Sequence, residues 1–392
     1  MKIGIAAPLG IHGLRNYLDV EDKYLSYGLE ATAVNNLIIG LLKKGHTVSA
    51  YTLDFNAETP ITFKGKNLTV YMGHYRARPR SRMLDFFSYE STQIKNFIKN
   101  DKPDFVHAHW SYEFAIGTIL SKYPHLITFR DDAKTILSIH KDPYRLVRYF
   151  MDKWVRFKGK NFNVASPYMQ ELLPFPKDKL PVIPNSFQEQ YIKTSKSYPK
   201  EMPIRIVTII NGWNERKNPL PAVRAFNQLV AKSTIPLEYH IYGRECSIND
   251  PSFQWLKANN LDKNIFLHGE VPYSQLMEAL PGYDILVHPS IEESFGNNLI
   301  EAMASGVPVV AGKYAGAVPW VLNNGKSGVL VDVTSTDEIM EGITSLISNP
   351  TLYEKLSKEG IQRVKDHFSS TAVTGQYLNL YERILGRDNK PR

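Results

Sequence analysis

The sequence predicts an α/β protein made of two doubly wound, Rossmann-like domains that face each other across a cleft. A chain of 392 residues, 43% of them hydrophobic, is too long for one ordinary core and suits two domains. In both halves, short apolar segments alternate with helical stretches, which is typical of parallel strands joined by crossover helices. The polar segment 187–203 has neither periodicity and is predicted to be a linker. We therefore expect an N-terminal domain over residues 1–190 and a C-terminal domain over residues 200–370.

The first half is predicted to place a strand and a long loop before its first helix. That helix is expected from about Ala31 to Lys44, and Gly45 directly after it is a typical helix stop. Strands are predicted in the apolar segments at residues 2–8, 45–53, 103–109, 125–129, 161–166 and 180–186.

The second half repeats this rhythm. Strands are predicted at residues 204–210, 238–243, 264–269, 284–290, 307–312 and 328–331. Helices are predicted after Pro221 and over about residues 252–259, 274–280, 298–305, 336–348, 350–367 and 371–385.

The charge of the chain favours an anionic partner. The net charge is +8 and the pI is near 9.1, which fits a nucleotide diphosphate, an acidic glycan, an anionic membrane surface or a nucleic acid. Charge alone does not choose among them. Much of it lies in residues 75–82 and 144–160, both in the first half.

Cysteine usage and hydropathy indicate the compartment. The single cysteine, Cys246, excludes an intramolecular disulfide and a multi-cysteine metal site, which agrees with a reducing environment. No apolar run reaches about 18 residues, and the opening segment is interpreted as a buried strand. We expect a cytoplasmic protein and leave open its association with the inner face of the membrane.

The segment from His288 to Gly312 is the richest in chemistry. A strand that ends at His288 leads through a glycine-containing loop into a helix that begins near Asn297, and a helix N-terminus offers unpaired N–H groups to a diphosphate. Glu293 lies just before this helix and Glu301 one turn inside it, so both carboxylates can accept hydrogen bonds from sugar hydroxyls. The alternative is that both are solvated acids favoured by the helix dipole.

The run ESFGNNLIEAMASGVPVV, which starts at Glu293, resembles the donor-site signature of the retaining glycosyltransferases of family 4 in the GT-B superfamily. In that signature a Glu is followed, after seven residues, by a second Glu. The resemblance implies that Glu293 contacts the hydroxyls of the transferred sugar and Glu301 those of the ribose. It further implies donor contacts, largely through backbone amides, at Ser294, Phe295, Gly296, Asn297 and Asn298. The resemblance extends to the last helix, 371–386, which is expected to pack back on the N-terminal domain.

A second part of the site is predicted in NGWNERKNP, residues 211–219. Cations at this position stabilise the negative charge of a departing diphosphate without a metal ion. Lys217 matches a lysine of the family, whereas Trp213 stands near the place of the family's arginine, so Arg216 is predicted to supply the second cation. The catalytic set is therefore Glu293, Lys217 and Arg216, with Glu293 orienting the sugar and not attacking it. A solvated basic helix start is the alternative, and the helix dipole disfavours it.

Two glycines complete the predicted donor site. Gly243 occupies the place of a glycine turn that the family has after its second strand. Gly28, directly before the first helix, is our choice among Gly10, Gly13 and Gly28 for the family's glycine-rich turn near the donor phosphates, with a simple turn glycine as the alternative.

The first half is predicted to supply the acceptor side of the cleft. Alternation along a strand puts His107 and His109 on one side, and His109 is a cleft candidate unless it is structural. Arg130 stands where many relatives have a histidine, which suggests that it binds charge. Asp131 and Arg15 are further candidates. Asp131 and Asp132 lack the spacing of the metal-binding Asp-any-Asp motif of the other large glycosyltransferase fold, so we expect no catalytic metal and no cofactor.

Residues 144–158 carry a basic, amphipathic pattern with two interpretations. Apolar and cationic residues alternate at helical spacing in Leu146, Val147, Phe150, Met151 and Trp154 and in Arg145, Arg148, Lys153, Arg156 and Lys158. Such a helix either lies on an anionic membrane or buries its apolar stripe inside the domain.

Taken with the resemblance, these residues predict transfer of a hexosyl unit from a nucleotide diphosphate sugar to a hydroxyl of a glycan or a lipid-linked acceptor. Retention of configuration and a bacterial cell-envelope or capsule pathway are implied by the resemblance alone. The alternatives are a sugar-nucleotide epimerase, a phosphorylase of the same superfamily, and a non-catalytic protein that binds an acidic glycan or nucleic acid; we expect no nucleic-acid partner. The sequence identifies neither the sugar, the base, the acceptor nor the oligomeric state.

Overall fold

The computed structural model describes residues 1–29 and 31–386. The chain divides into two compact units. The first comprises Met1–Ser186 and the segment that begins at Ser370, and the second comprises Phe187–Ser369. Each unit is built on its own sheet, as the alternating pattern of the sequence predicts.

The first unit contains a seven-stranded sheet in the order β3-β4-β2-β1-β5-β6-β7. All neighbouring strands are parallel except the β3-β4 pair. The direction of winding changes between β1 and β5, and this change marks the topological switch point at which α/β sheets bind ligands. The strands are β1 (Lys2–Ala6), β2 (Thr47–Asp54), β3 (Ile61–Lys64), β4 (Leu68–His74), β5 (Phe105–His109), β6 (His125–Phe129) and β7 (Phe162–Val164).

Helices cover the sheet of the first unit. They are α1 (Thr32–Lys43), α2 (Pro79–Leu84), α3 (Ser88–Asp101), α4 (Glu113–Ser121), α5 (Ala133–His140), α6 (Pro143–Lys158) and α7 (Pro167–Leu172). The final helix, Ser370–Ile384, packs against α1 within the same unit, as predicted. Gly40 of α1 allows this close approach, because a Cβ there would lie 2.1 Å from Thr374 Oγ1.

The second unit contains a six-stranded, fully parallel sheet in the order β10-β9-β8-β11-β12-β13. Its switch point lies between β8 and β11. The strands are β8 (Ile204–Ile209), β9 (Leu237–Tyr242), β10 (Ile265–Gly269), β11 (Ile285–His288), β12 (Val309–Gly312) and β13 (Val329–Val331). The helices are α8 (Pro219–Lys232), α9 (Pro251–Ala258), α10 (Tyr273–Ala279), α11 (Asn297–Ala304), α12 (Val318–Val321), α13 (Thr336–Ser348) and α14 (Pro350–Arg363). The final helix, Ser370–Ile384, is α15.

Two sequence predictions about the connections are corrected, and one strand pair was missed. The missed pair is the antiparallel pair β3 and β4. Residues 180–186, predicted as a strand, contribute only an isolated bridge between Val182 and Val164. The segment 187–203 is not a free linker, because Lys193 N donates to Ala304 O at 2.8 Å and Lys196 N donates to Ser357 Oγ at 2.8 Å. Within the described residues, no helix is both long and apolar enough to cross a membrane.

Candidate functional site

The two central strands of the second sheet, β8 and β11, end at the switch point and lead into the loops that carry the predicted site. The side chain of Asn298, in the first turn of α11, donates a 2.6 Å hydrogen bond to the carbonyl of Ile209, the last residue of β8. This bond fixes the start of α11 beside the loop that follows β8. The carboxyl ends of the two strands thus present one continuous site within this unit.

Lys217 and Glu293 form a buried ion pair at the centre of this site. Lys217 Nζ lies 2.5 Å from Glu293 Oε1, and each residue is 9% exposed. Burial alone would raise the pKa of Glu293, but Lys217, with Arg216, holds that pKa below its ordinary value. The carboxylate of Glu293 is therefore ionised at neutral pH, and neither Glu293 nor Lys217 is the solvated side chain that was the alternative interpretation.

Arg216 lies at the edge of the same pair. Its Nη1 donates to the carbonyl of Glu292 at 3.2 Å and is 4.0 Å from Glu293 Oε2. The turn that presents both cations is held by Asn218, whose side chain donates to the carbonyls of Pro289 at 3.1 Å and Val333 at 2.8 Å. The two cations predicted from the sequence are thus brought together with the predicted acid.

His288 was missed as a site residue, because the sequence marked it only as the end of a strand. Its ring is 1% exposed, and Nε2 lies 3.6 Å from Glu293 Oε1. Burial lowers the pKa of His288 to about 4, with Glu293 opposing the shift and the two cations adding to it. The imidazole is therefore neutral at physiological pH, and its position directly before Pro289 and the acidic loop is the signal that could have identified it.

Glu301 is buried on α11 without a partner. It is 7% exposed, and within the described part of the chain no side-chain hydrogen bond reaches its carboxyl group. Burial raises the pKa of Glu301 to about 7. Tyr273, at the start of α10, lies near Glu301. Burial raises the pKa of the Tyr273 hydroxyl, and the charge of Glu301 adds to this shift. A buried carboxyl group with unused acceptor capacity is suited to accept hydroxyl hydrogen bonds from a ligand.

The start of α11 is shaped for close approach to its backbone. Gly296 has φ +90° and precedes the helix without any side-chain cap. Phe295 is 3% exposed and packs edge-on against Trp320 and Phe368, so its side chain is committed to the core. Donor contacts at Ser294, Phe295, Gly296, Asn297 and Asn298 stay a prediction. At Phe295, such a contact would be made by the backbone and not by the side chain.

Gly243 and Gly28 have structural reasons to be glycine. Gly243 has φ +124°, and a Cβ there would lie 1.6 Å from the carbonyl oxygen of Ile210. Gly28 has φ +98°, and its N–H donates to Asp54 Oδ2 at 2.8 Å. A Cβ at Gly28 would meet the carbonyl oxygen of Leu9 at 2.1 Å. Contact of either glycine with a donor stays a prediction.

The first unit has a separate polar cluster at the ends of β5 and β6. The rings of His107 and His109 are 4.1 Å apart on one side of β5, as strand alternation predicts. Arg130 donates to His109 Nδ1, with Nη2 at 2.7 Å, and also to Asn185 Oδ1. The neutral ring of His109 therefore carries its proton on Nε2, which has no hydrogen-bond partner among the described residues. Burial, then neighbouring positive charge, lowers the pKa of His109.

The comparisons with known proteins agree with both halves of the fold. The family described as Glycosyltransferase Family 4 matches residues 31–190, and the one described as Glycosyl transferases group 1 matches residues 192–363. The chain therefore combines a Glycosyltransferase Family 4 domain with a Glycosyl transferases group 1 domain. This transferase is 23% identical over 315 residues to N-acetyl-alpha-D-glucosaminyl L-malate synthase of Bacillus anthracis, covering 76% of this chain and 80% of that protein.

Two further proteins resemble the transferase over different extents. The capsular polysaccharide biosynthesis glycosyltransferase CapM of Staphylococcus aureus is 31% identical over 141 residues, which is 36% of each protein. The structure of HepE from Anabaena in complex with UDP-glucose superposes with a TM-score of 0.68 at 14% identity, covering 98% of this chain and all of that one. The latter likeness confirms the GT-B fold, in which both domains are Rossmann-like.

The remaining acceptor-side candidates of the transferase have local partners. Asp131 accepts a 2.9 Å hydrogen bond from Tyr112 Oη, and burial raises the pKa of its carboxyl group. Asp132 caps α5 instead, accepting from Thr135 N at 2.9 Å. Arg15 is exposed and pairs with the exposed Asp22 at 3.0 Å. Across residues 1–29 and 31–386, no three His, Cys, Asp or Glu side chains converge as metal ligands. Metal independence and the acceptor roles stay predictions.

Proposed function

We propose that this glycosyltransferase moves a hexosyl unit from a nucleotide diphosphate sugar to a hydroxyl of a glycan or lipid-linked acceptor, with retention of anomeric configuration. One observation carries the proposal: the buried Lys217–Glu293 pair lies in the same unit as an uncapped helix start and an unpartnered carboxyl group on Glu301. The UDP-glucose complex of HepE supports a nucleotide-sugar donor. CapM supports a role in cell-surface polysaccharide synthesis. We place this activity in the cytoplasm as part of the same proposal.

In the proposed reaction, the bond between the anomeric carbon and the diphosphate oxygen breaks, and its electron pair stays on the diphosphate. Lys217, Arg216 and the first amides of α11 stabilise the negative charge that forms there. The amides are held in place before the donor arrives, and Lys217 needs only to turn from Glu293 toward the diphosphate, so little reorganisation of the backbone opposes the step. No metal ion is assigned to it.

Glu293 orients the sugar in this proposal. Its ionised carboxylate accepts hydrogen bonds from sugar hydroxyls while Lys217 shifts toward the diphosphate, which keeps both charges paired. Glu301 accepts from the ribose hydroxyls. The acceptor hydroxyl attacks the anomeric carbon on the face that the diphosphate leaves, and its proton passes to an oxygen of the departing phosphate.

The test is thermal-shift screening of the wild-type chain against a panel of nucleotide sugars, followed by assay of nucleotide release and NMR of the product anomer. A donor that binds only the folded state raises the melting temperature. We expect one or a few donors to stabilise the protein. We also expect the product to have the same anomeric configuration as the donor sugar. If no nucleotide sugar shifts the melting temperature and none releases nucleotide with any hydroxyl acceptor, the proposal is wrong. An inverted product would overturn retention alone.

A further inference from the structure

Two arginines of helix α6, Arg148 and Arg156, point into the first unit. Arg148 Nη1 lies 3.3 Å from Glu113 Oε2, and its guanidinium carbon is 3.6 Å from the centre of the Tyr112 ring. Arg156 pairs with Asp132 at 2.9 Å and with Asp152 at 2.6 Å. Both arginines are therefore paired with buried carboxylates. They are not part of a solvent-facing basic rim.

The opposite side of α6 is apolar and exposed. Leu146, Phe150, Lys153 and Phe157 follow one another at spacings of four, three and four residues, so they share one face of the helix. We call these four residues the outer face. Leu146 is 44% exposed, Phe150 52% and Phe157 77%.

The interpretation of α6 as a helix with a buried apolar stripe holds in part, because Val147, Met151 and Trp154 pack into the core of the first unit. Met151 is buried, but Leu146 and Phe150, which were predicted to share its stripe, are exposed. In addition to this buried stripe, α6 exposes Phe150 and Phe157 while Arg148 and Arg156 pair with buried carboxylates, which an ordinary amphipathic surface helix does not do. An exposed apolar face of this kind marks an interaction surface.

Exposed apolar residues also lie in or next to the elements that contact α6. The ring of Phe87 contacts Tyr144 in the first turn of α6, and the nearby residues Leu84 and Phe86 are 77% and 55% exposed. Ile139, at the end of the adjoining α5, is 44% exposed.

The charges beside the outer face have one sign. Between residues 133 and 160, the exposed Lys, Arg, Asp and Glu side chains are all lysines, namely Lys134, Lys141, Lys153, Lys158 and Lys160. Lys158 Nζ lies 4.6 Å from the centre of the Phe157 ring, so the apolar side chain and the cation occupy neighbouring positions. Asp142, which caps α6 by accepting the N–H of Arg145, is only partly exposed and is one carboxylate beside these lysines.

We propose that the outer face of α6 docks on an anionic lipid bilayer, with Phe150 and Phe157 inserted at the interface and the flanking lysines on lipid phosphates. Exposed aromatic rings gain from leaving water, and lysines gain from the negative surface potential. A second copy of this face is disfavoured as the occupant, because it would set lysines against lysines. A nucleic acid would satisfy the lysines but not the phenylalanines.

The test is sedimentation of the full chain with vesicles of phosphatidylcholine alone and of equimolar phosphatidylcholine and phosphatidylglycerol. We expect binding only to the anionic vesicles, weakened by added salt. Phe150→Ser with Phe157→Ser should weaken binding about tenfold or more. Lys153→Gln with Lys158→Gln should weaken it about fivefold for each lysine removed. Tyr314→Ser, at a residue of the second unit that is 76% exposed, is the matched control and should bind like the wild type.

Three outcomes would overturn the proposal. The first is no binding of the wild type to anionic vesicles, and the second is unchanged binding by both double variants. The third is a wild-type oligomer that the Phe150→Ser, Phe157→Ser variant dissociates, which would make the outer face a protein interface. Unchanged melting temperatures verify that the variants fold, and the donor-induced thermal shift is measured in parallel, so failure of vesicle binding is distinguishable from failure of the proposed transfer.

Discussion

Each of the two units has a polar cluster at the carboxyl ends of its strands. The clusters differ in how many of their polar side chains find hydrogen-bond partners inside the same unit. In the first unit, Tyr381 Oη donates to His107 Nδ1 at 2.7 Å, and His107 Nε2 donates to Thr128 Oγ1 at 2.6 Å. Thr128 in turn donates to Asn163 Oδ1 at 2.5 Å. This chain of bonds closes on the protein itself and attaches α15 to the sheet.

In the second unit, the corresponding strand ends carry groups whose bonding capacity is not used up. Glu301 is buried with no side-chain hydrogen bond in the described chain, and both ring nitrogens of His288 lack one there. Burying such groups costs free energy unless a ligand completes their bonds. The difference teaches that the chain of bonds at His107 positions the fold, whereas the second cluster is suited to a substrate; in the first cluster, His109 Nε2 lies outside that chain and is unpartnered among the described residues. The three predictions below test this contrast, from the largest effect to the smallest.

Removing the cation of the second cluster should have the largest effect. Lys217→Met removes the partner of a buried carboxylate and a charge aimed at the leaving group. We expect transfer to fall by about a hundredfold to a thousandfold, since removal of one preorganised group that stabilises developing charge has an effect of this order. We also expect the free energy of unfolding to fall by about 3 kcal/mol, because Glu293 is left buried with Arg216 only at 4.0 Å. Initial rates and chemical denaturation measure the two effects.

The matched control is the double variant Lys217→Met with Glu293→Gln. Because no unpaired carboxylate remains, this variant should regain most of the lost stability while transfer stays absent. Recovery of transfer in the double variant, or full activity in Lys217→Met, would show that the pair is only structural.

The second prediction separates the two acids of the motif by the sign of their effect on stability. Burial raises the pKa of Glu301 from 4.5 to about 7, so the folded state holds this proton longer than the unfolded chain does. Ionised Glu301 destabilises the folded state. This loss of stability is absent below about pH 4.5, grows up to about pH 7 and is constant above about pH 7. Glu301→Gln should therefore increase the free energy of unfolding by about 2 kcal/mol more at about pH 8 than at about pH 5.5. Denaturation curves at the two pH values measure this.

Glu293→Gln supplies the contrast, since pairing lowers the pKa of Glu293. The ionised group stabilises the fold above its unfolded pKa, and this stabilisation is lost as the pH falls through the folded pKa. Its replacement should therefore destabilise the protein at about pH 8. Both variants should lose the donor-induced thermal shift. The same sign of stability change in both at about pH 8 would contradict the assigned environments.

The cluster of the second unit was more predictable from the sequence than that of the first unit, because its charged side chains lie in two short segments of the chain. Residues 211–219 and 288–301 each follow a strand of a parallel sheet, and such loops meet at one edge whatever the remaining packing is. Local spacing therefore located Lys217 and Glu293. It did not identify the role of His288, whose significance depends on burial and on a 3.6 Å approach to Glu293.

Long-range packing decided what the sequence could not. The carboxylates of Glu113 and Asp132, which lie outside α6, pair with Arg148 and Arg156 and draw them inward. Hydrophobic periodicity predicts the buried stripe of α6 but neither these inward arginines nor the exposed ring of Phe150. Likewise, the partner of His107 is Tyr381, 274 residues away, and no local pattern reveals such a contact.

The smallest effect is expected from opening the closed cluster of the first unit. Tyr381→Phe removes the donor to His107 Nδ1 but keeps the ring, so the free energy of unfolding should fall by about 1 to 2 kcal/mol, the effect of leaving one buried acceptor unsatisfied. Tyr377→Phe is the matched control on the same helix and should have a smaller effect, because the hydroxyl of Tyr377 accepts only a 3.4 Å bond from Asn163. Chemical denaturation ranks the two variants, and thermal-shift titration checks that both keep the donor response of the wild type. A loss of donor response in Tyr381→Phe at unchanged stability would mean that the first cluster takes part in substrate binding and does not merely hold α15 in place.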